Sequence, residues 1–89
     1  MTKEEAAEKA RHDLANRLGI EASEVTEQSV TDADFPDMAL GAAPAGEMSG
    51  QMITRGWKIQ LKAGGQSYEY RADKTQLRLY KFKGKNYKV

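Results

Sequence analysis

The sequence predicts a small α+β domain, in which one N-terminal helix packs on a three- to four-stranded antiparallel meander sheet with a long loop. An apolar stripe at helical spacing near the N-terminus predicts the helix. Two runs of alternating apolar and polar residues around a Gly-Gly pair predict the sheet. The 89 residues fit one domain, residues 1–89, with a loop lacking any period over 36–55.

The first element is a helix over about residues 3–18. Thr2 and Glu5 form the sequence pattern of a capping box, in which each side chain satisfies a backbone N–H at the helix start. Gly19 provides the left-handed residue that commonly ends a helix. Small and branched apolar residues recur at spacings of three and four, and therefore line one narrow face of the helix: Ala7, Ala10, Leu14 and Leu18.

The next element is a strand over about residues 25–34. Val25 and Val30 are five residues apart, so strict alternation fails and the segment predicts a strand with a β-bulge. At its end, Phe35 is expected to anchor inward, and Pro36-Asp37 to turn the chain.

Two further strands, about 56–63 and 66–72, form the clearest pattern in the chain. Gly64-Gly65 permits the positive φ angles of a two-residue hairpin turn. That turn fixes the register and brings all apolar residues to one face, with three pairs: Leu61 with Tyr68, Ile59 with Tyr70, and Trp57 with Ala72.

A second hairpin turns at Lys74-Thr75 and leads into a strand over about 77–82, with Leu77 and Leu79 continuing the inner face. The basic tail, residues 84–89, is expected to fray. Alternation places a group of cationic and aromatic residues on the outer face of the sheet: Lys58, Lys62, Arg71, Arg78, Tyr80 and Phe82.

The net charge of +1 conceals a division between the two halves of the chain. Residues 1–50 carry four basic and eleven acidic groups, a net charge of −7, whereas residues 51–89 carry ten basic and two acidic groups, a net charge of +8. Either the two halves attract each other within one fold, or the basic half meets an anionic partner.

Little in the sequence indicates catalysis. The chain has no cysteine, which excludes disulfides, thiolate metal sites and a cysteine nucleophile. His12 falls on the helix side opposite the apolar stripe, as a solvated residue does. Asp32, Asp34 and Asp37 could bind calcium, but they lack EF-hand spacing and turn chemistry accounts for them. We therefore expect a non-enzymatic protein without metal or cofactor.

The N-terminus is predicted to be a charged helix rather than a signal peptide, and no apolar run reaches the length of a membrane span. These features predict a cytoplasmic protein that does not associate with membranes and is a monomer or weak dimer.

Two surfaces are candidate binding sites. The first is the long loop with an adjoining sheet edge, which would contact a protein or peptide through Phe35, Met38, Leu40, Met48, Met52 and Ile53. Packing of this loop on the domain is the structural alternative. The second candidate is the outer sheet face, where lysines and aromatic rings would bind an anion or a single-stranded nucleic acid. Solubility alone also explains cations there. The first surface is the leading hypothesis.

Several motifs together resemble a known family. Within about residues 7–73, the chain resembles a small bacterial domain of uncharacterised function. The resemblance rests on four motifs in this order: A-x-x-D-L-A-x-R-L-G-I, F-P-D-x-x-L-G, P-x-G and G-W-x-I-x-L-x-A-G-G-x-x-Y-x-Y-R-A-D. Members typically have tryptophan, cysteine and histidine where this chain has Phe35, Ala42 and Arg71. The resemblance implies no activity. A helix followed by a meander sheet is also similar to PepSY-like domains, which implies a regulatory role by fold analogy.

Overall fold

The computed structural model describes residues 1–89 and contains one α-helix, a 3₁₀ turn and five strands. The strands pair in chain order as an antiparallel meander. The predicted α+β fold is confirmed, with five strands rather than three to four. The elements are α1 (Lys3–Leu18), the 3₁₀ turn (Ala22–Glu24), β1 (Thr26–Phe35), β2 (Thr54–Ala63), β3 (Gln66–Ala72), β4 (Leu77–Phe82) and β5 (Lys85–Lys88).

The capping box at the start of α1 is confirmed. The Glu5 N–H donates to Thr2 Oγ1 at 3.1 Å, and the Thr2 N–H donates to Glu5 Oε1 at 2.7 Å. Gly19 ends the helix with a φ of 69°. Buried alanines, including Ala6 and Ala10, allow α1 to lie close to the sheet. No helix has the length and apolar character required to cross a membrane.

The main core lies between α1 and one face of the sheet, which we call the helix face. The predicted register of the β2–β3 hairpin is confirmed, with Leu61 opposite Tyr68 and Ile59 opposite Tyr70. Burial of these side chains removes apolar area from water and supplies most of the stabilisation of the fold. The core cluster contains Ala6, Ala7, Ala10, Leu14, Ala15, Val25, Ile59, Leu61, Ala63, Tyr70, Ala72, Leu77, Leu79 and Phe82.

A polar contact inside this core joins the helix to the sheet. The hydroxyl of the buried Tyr70 donates to Asp13 Oδ2 at 2.7 Å, and Arg17 Nε donates to the same oxygen at 2.7 Å. Burial and the hydrogen bond to Asp13 raise the pKa of Tyr70 well above its usual value. The phenol is therefore held neutral as a donor to the Asp13 carboxylate.

The predicted bulge in the first strand is also confirmed. The pairing of β1 with β2 shifts between Glu27 and Ser29, which leaves Gln28 as the extra residue. After the shift, Val30 pairs with Ile59 and packs against the core.

The C-terminal segment differs from its prediction. Lys83-Gly84, with φ angles of 51° and 82°, forms a tight turn, and residues 85–88 pair with β4 as β5 instead of fraying. Lys81, with a φ of 48°, is a bulge residue that interrupts the alternation of β4. Phe82 consequently lies on the helix face, not on the predicted outer face, and its ring centroid is 5.9 Å from that of Tyr68.

The other side of the sheet, which we call the outer face, is not open to solvent. Residues 36–53 cross it as a third layer, so that Phe35, Ala39, Leu40 and Ala42 are buried outside the main core cluster. The expected inward anchor, Phe35, is buried, but it packs on the outer face next to Arg71. The structural alternative for the loop, packing on the domain, therefore holds for its first half.

Candidate functional site

Turn chemistry at Asp37 fixes the first part of the loop. One carboxylate oxygen of Asp37 accepts from the N–H groups of Ala39 and Gly41, at 2.9 and 3.0 Å. Leu40 and Gly41 both have positive φ angles, of 61° and 66°. A Cβ at Gly41 would lie 2.7 Å from Arg71 Nη1, so glycine is required there for close approach.

Arg71 holds this turn against the sheet. Its guanidinium donates to Glu69 Oε2 at 2.7 Å and to the Leu40 carbonyl at 3.0 Å. The guanidinium carbon lies 3.6 Å from the centre of the Tyr80 ring and 5.2 Å from that of Phe35. The chain itself therefore occupies two donors of this cation and places two aromatic rings beside it.

Arg78 holds the far end of the loop. It is only 4% exposed, and its Nη1 and Nη2 donate to the two carboxylate oxygens of Glu47. Arg78 Nε donates to Gln76 Oε1 at 2.7 Å. The hydrogen bonds from Arg78 lower the pKa of Glu47. A bidentate ion pair thus anchors the loop on the outer face.

The predicted basic face is consequently divided. Lys58 and Lys62 both lie on β2, with Lys62 exposed, and Tyr80 is partly covered by Arg71. Arg71 and Arg78 are paired beneath the loop, and Phe82 lies on the opposite side of the sheet. The six residues therefore do not form one continuous surface.

The predicted loop site is divided in the same way. Phe35 and Leu40 are buried, whereas the remaining four side chains face solvent, with exposed fractions of 50% for Met38, 95% for Met48, 65% for Met52 and 73% for Ile53. Met38 and Gly50 are joined by a backbone hydrogen bond of 2.9 Å, so the exposed arm runs beside the first turn of the loop.

The loop and the sheet edge meet at a groove of about 590 Å³. Asn86 forms the junction, because its side chain donates to the Ala43 carbonyl at 3.1 Å and accepts from the Lys81 N–H at 2.8 Å. Small loop residues form one wall and β5 forms the other. The groove is lined by Ala43, Pro44, Ala45, Gly84, Lys85, Asn86, Tyr87 and Lys88.

Beside this groove, β5 is an edge strand with one open side. The Val89 N–H donates to the Leu77 carbonyl at 3.0 Å, and Tyr87 pairs with Leu79. Since backbone groups alternate in direction along an antiparallel strand, those of Asn86 and Lys88 point away from β4. Two residues of the strand therefore offer free N–H and C=O groups next to the groove.

The cations around the groove have no ion-pair partners in the chain. All arginines of residues 51–89 form ion pairs: Arg55 with Asp34, Arg71 with Glu69 and Arg78 with Glu47. In contrast, the lysines of the same half form none: Lys58, Lys62, Lys74, Lys81, Lys83, Lys85 and Lys88. Attraction between the two halves thus accounts for two arginines and leaves the lysines of the β4–β5 hairpin without ion pairs.

Other predicted groups have ordinary partners. Asp32 pairs with Lys3 at 3.1 Å and Asp34 with Arg55 at 3.7 Å, while Asp37 serves the turn described above. His12 is exposed on α1, with Nε2 2.9 Å from Glu8 Oε1.

Most residues of the groove are not apparent from the sequence. The sequence predicts a frayed tail for Asn86, Tyr87 and the two flanking lysines, whereas these residues form β5 and line the groove. The signal that could have identified them is Lys83-Gly84, a residue pair that suits a two-residue turn between Phe82 and Lys85. No pattern in the sequence indicated that Ala43–Ala45 would lie against that strand.

One comparison with known proteins gave a match. A family model described as "Domain of unknown function (DUF8738)" matches residues 7–80, from the first half of α1 to β4. No curated protein and no solved structure matches the chain. The matched range includes the loop, Arg71 and Arg78, whereas β5 lies beyond it.

Proposed function

The chain belongs to the DUF8738 family of domains of unknown function, and we propose that it is a non-enzymatic interaction module that binds an extended acidic peptide along β5. The observation that supports this proposal is the groove between Ala43–Ala45 and the open edge of β5. It joins the two parts of the leading sequence hypothesis, the long loop and an adjoining sheet edge.

The mode of binding is strand addition. An extended peptide beside β5 would pair with the free backbone groups of Asn86 and Lys88, and its side chains would alternate between the groove and the opposite face. The loop contact from Asn86 to the Ala43 carbonyl holds the far wall in place. A groove formed in advance reduces the ordering cost of binding.

Charge selects the class of peptide. Lys85 and Lys88 line the groove, Lys81 and Lys83 belong to the same hairpin, and residues 81–89 include no acidic residue. The loop carboxylate of Glu47 is already paired with Arg78. An acidic peptide is therefore favoured over a neutral or basic one, and its binding weakens as salt is added.

The outer-face alternative has less support. Binding of an anion or single-stranded nucleic acid there would use Lys58, Lys62 and Tyr80. However, Arg71 already covers one side of the Tyr80 ring at 3.6 Å, and the loop encloses Arg78.

An amide-shift titration tests the proposal. Two blocked hexapeptides serve as probes, one alternating glutamate with valine and the other alternating lysine with valine. We expect the acidic peptide to shift the amides of residues 43–45 and 84–88, with the shifts decreasing at high salt, and the basic peptide to have no effect. A short oligothymidylate is titrated in parallel.

A charge-matched pair of variants serves as the control. Lys85→Glu/Lys88→Glu should abolish the peptide-induced shifts, whereas Lys62→Glu/Lys74→Glu, with the same change in net charge, should preserve them. Peptide shifts confined to Met48, Met52 and Ile53 would instead assign the site to the exposed arm. Oligothymidylate shifts at Lys58, Lys62 and Tyr80, with none from the peptide, would favour the outer face and refute the groove.

A further inference from the structure

The opposite edge of the sheet has the opposite charge. β1 is the other edge strand, and its ten residues include three acidic residues and no basic one. The acidic residues are Glu27, Asp32 and Asp34. One end of the sheet is thus an acidic, extended segment, and the other end is a lysine-rich strand with free backbone groups.

The carboxylates of β1 remain accessible despite their ion pairs. Asp32 lies 3.1 Å from Lys3 and Asp34 lies 3.7 Å from Arg55, but the two carboxylate side chains are 56% and 61% exposed. Exposed ion pairs are weak and exchange readily with other partners. β1 therefore has the chemistry of the extended acidic peptide that the β5 groove would take.

We propose that copies of this chain associate head to tail, with β1 of one copy added to β5 of the next. The inference rests on the proposed function, because it identifies the acidic peptide as an edge strand of a second copy. Complementary charge and free backbone groups at both edges favour this pairing. The contact is heterologous, so an open assembly of any length keeps one free acidic edge at one end and one free basic edge at the other.

The charges match in either strand direction. Asp32 and Asp34 lie on the helix face, because Asp32 pairs with Trp57 in the sheet. On β5, Lys85 lies on the same face as Tyr87, whereas Lys88 lies opposite Arg78 on the outer face. Parallel addition keeps the faces aligned and brings Lys85 to the carboxylates, while antiparallel addition inverts one copy and brings Lys88 to them.

The geometry also limits the strength of association. β5 has four residues, and the bulge of β1 at Gln28 leaves residues 29–35 as its regular part. A short strand pair buries little area, so we expect weak, salt-sensitive association. Weak association is also expected from the lysines of the β5 edge, because lysines on an edge strand oppose tight aggregation.

Sedimentation velocity over a range of protein concentrations tests the inference. At low salt, the weight-average mass should rise above the 9.9 kDa of one chain as concentration increases, and high salt should reverse the rise. A synthetic peptide with the sequence of residues 26–35 should suppress the rise and shift the amides of residues 84–88.

Charge reversal gives the sharper measurement. Lys85→Glu/Lys88→Glu makes both edges acidic, and Asp32→Lys/Asp34→Lys makes both edges basic, so each variant alone should remain monomeric. An equimolar mixture of the two should associate again, because every contact then joins opposite charges. Circular dichroism establishes that both variants fold, and the wild-type and peptide measurements decide the question if one does not.

Two contrary outcomes separate this inference from the proposed function. If the wild-type chain stays monomeric at every concentration while the glutamate–valine hexapeptide still binds at β5, self-association is wrong and the peptide site stands. If neither copies nor the acidic peptides bind, both proposals are wrong.

Discussion

Arg78 is the one buried charged residue of the chain, and the Glu47 carboxylate compensates its charge beneath the loop. Transfer of a cation from water into the protein interior is unfavourable unless a partner of opposite charge replaces the lost hydration. The same ion pair fixes the loop that forms one wall of the groove. At this scale, Glu47 therefore links the stability of the fold to the shape of the candidate site.

Glu47→Gln should lower the free energy of unfolding by about 2 kcal/mol, because it leaves the buried Arg78 without a charged partner. Urea unfolding measures this change. Asp34→Asn is the control, since it removes the other carboxylate that pairs across the two halves, at an exposed site, and should cost at most about 0.5 kcal/mol. Equal losses in the two variants would contradict the assigned role of Glu47.

The ion pair of Glu47 with Arg78 should make the stability of the fold depend on pH. Arg78 lowers the pKa of Glu47, so the ionised carboxylate stabilises the fold fully above its ordinary pKa of 4.5, and this stabilisation is lost as the pH falls through the lowered pKa. The difference in stability between the wild type and Glu47→Gln should therefore shrink below pH 4.5. A difference that is constant with pH would show that Glu47 is not ionised in the ion pair.

Tyr70 should resist titration. Burial and the hydrogen bond to Asp13 raise the pKa of Tyr70, so its phenol should stay neutral at alkaline pH while the protein is folded. Tyrosinate absorbance should therefore rise by the contribution of one further tyrosine when the protein unfolds at that pH. Tyr70→Phe should lack this rise and lose about 1 kcal/mol of stability. Ionisation of Tyr70 in the folded protein would contradict the buried contact.

At the scale of elements, the β4–β5 hairpin brings most of the groove together. Its turn, the bulge at Lys81 and the Asn86 side chain set the position of a four-residue strand. Both Lys81 and Lys83 adopt positive φ angles, which are unfavourable for a residue with a Cβ. The hairpin thus has a strained backbone that tertiary contacts stabilise.

Lys83→Asn should stabilise the protein by about 0.5 kcal/mol, since asparagine tolerates the left-handed conformation that precedes Gly84. Thermal unfolding measures the change. Lys85→Asn makes the same chemical substitution at a strand position and should have no stabilising effect. Stabilisation by both changes would show that reduced charge, rather than backbone conformation, is responsible.

Lys88→Pro tests strand addition separately from charge. The Lys88 N–H points away from β4, so proline removes a free donor without breaking the β4–β5 ladder. Lys88→Gln is the control, because it removes the charge of Lys88 but keeps the backbone N–H. The proline variant should bind the acidic hexapeptide about tenfold more weakly than the glutamine variant. Equal affinity of the two variants would show that the peptide is held by side chains only.

For the whole molecule, the C-terminal segment is part of the fold although the family match ends at residue 80. Phe82 is 8% exposed in the core cluster, and its ring centroid is 6.1 Å from that of Tyr87. A chain that ends at residue 80 should therefore lose about 3–5 kcal/mol of stability, the cost of removing a buried aromatic residue. Truncation after residue 88, which removes only Val89 and its hydrogen bond to the Leu77 carbonyl, should cost less and serves as the reference. A full-length melting temperature for the shorter chain would contradict this role.

Much of the architecture could be predicted from the sequence because its signals are local. The capping box, the Gly-Gly turn and the alternation of β2 and β3 specify their geometry over a few residues. The position of the loop could not be predicted in this way. It depends on contacts between distant residues, such as Glu47 with Arg78 and Ala43 with Asn86, which leave no periodic pattern. The candidate groove was missed for the same reason.

The bulge at Lys81 has a consequence for how this chain could vary. Side chains of a strand alternate strictly, so a bulge is in effect one inserted residue that exchanges the two faces beyond it. Deletion of Lys81 would therefore leave a regular ladder, in which Tyr80 lies opposite Asn86 and Phe82 stays opposite Lys85 on the helix face. Its direct loss would be the Lys81 N–H that donates to the Asn86 side chain. Near the C-terminus, the bulge thus allows β4 to lose one residue without exchanging its two faces.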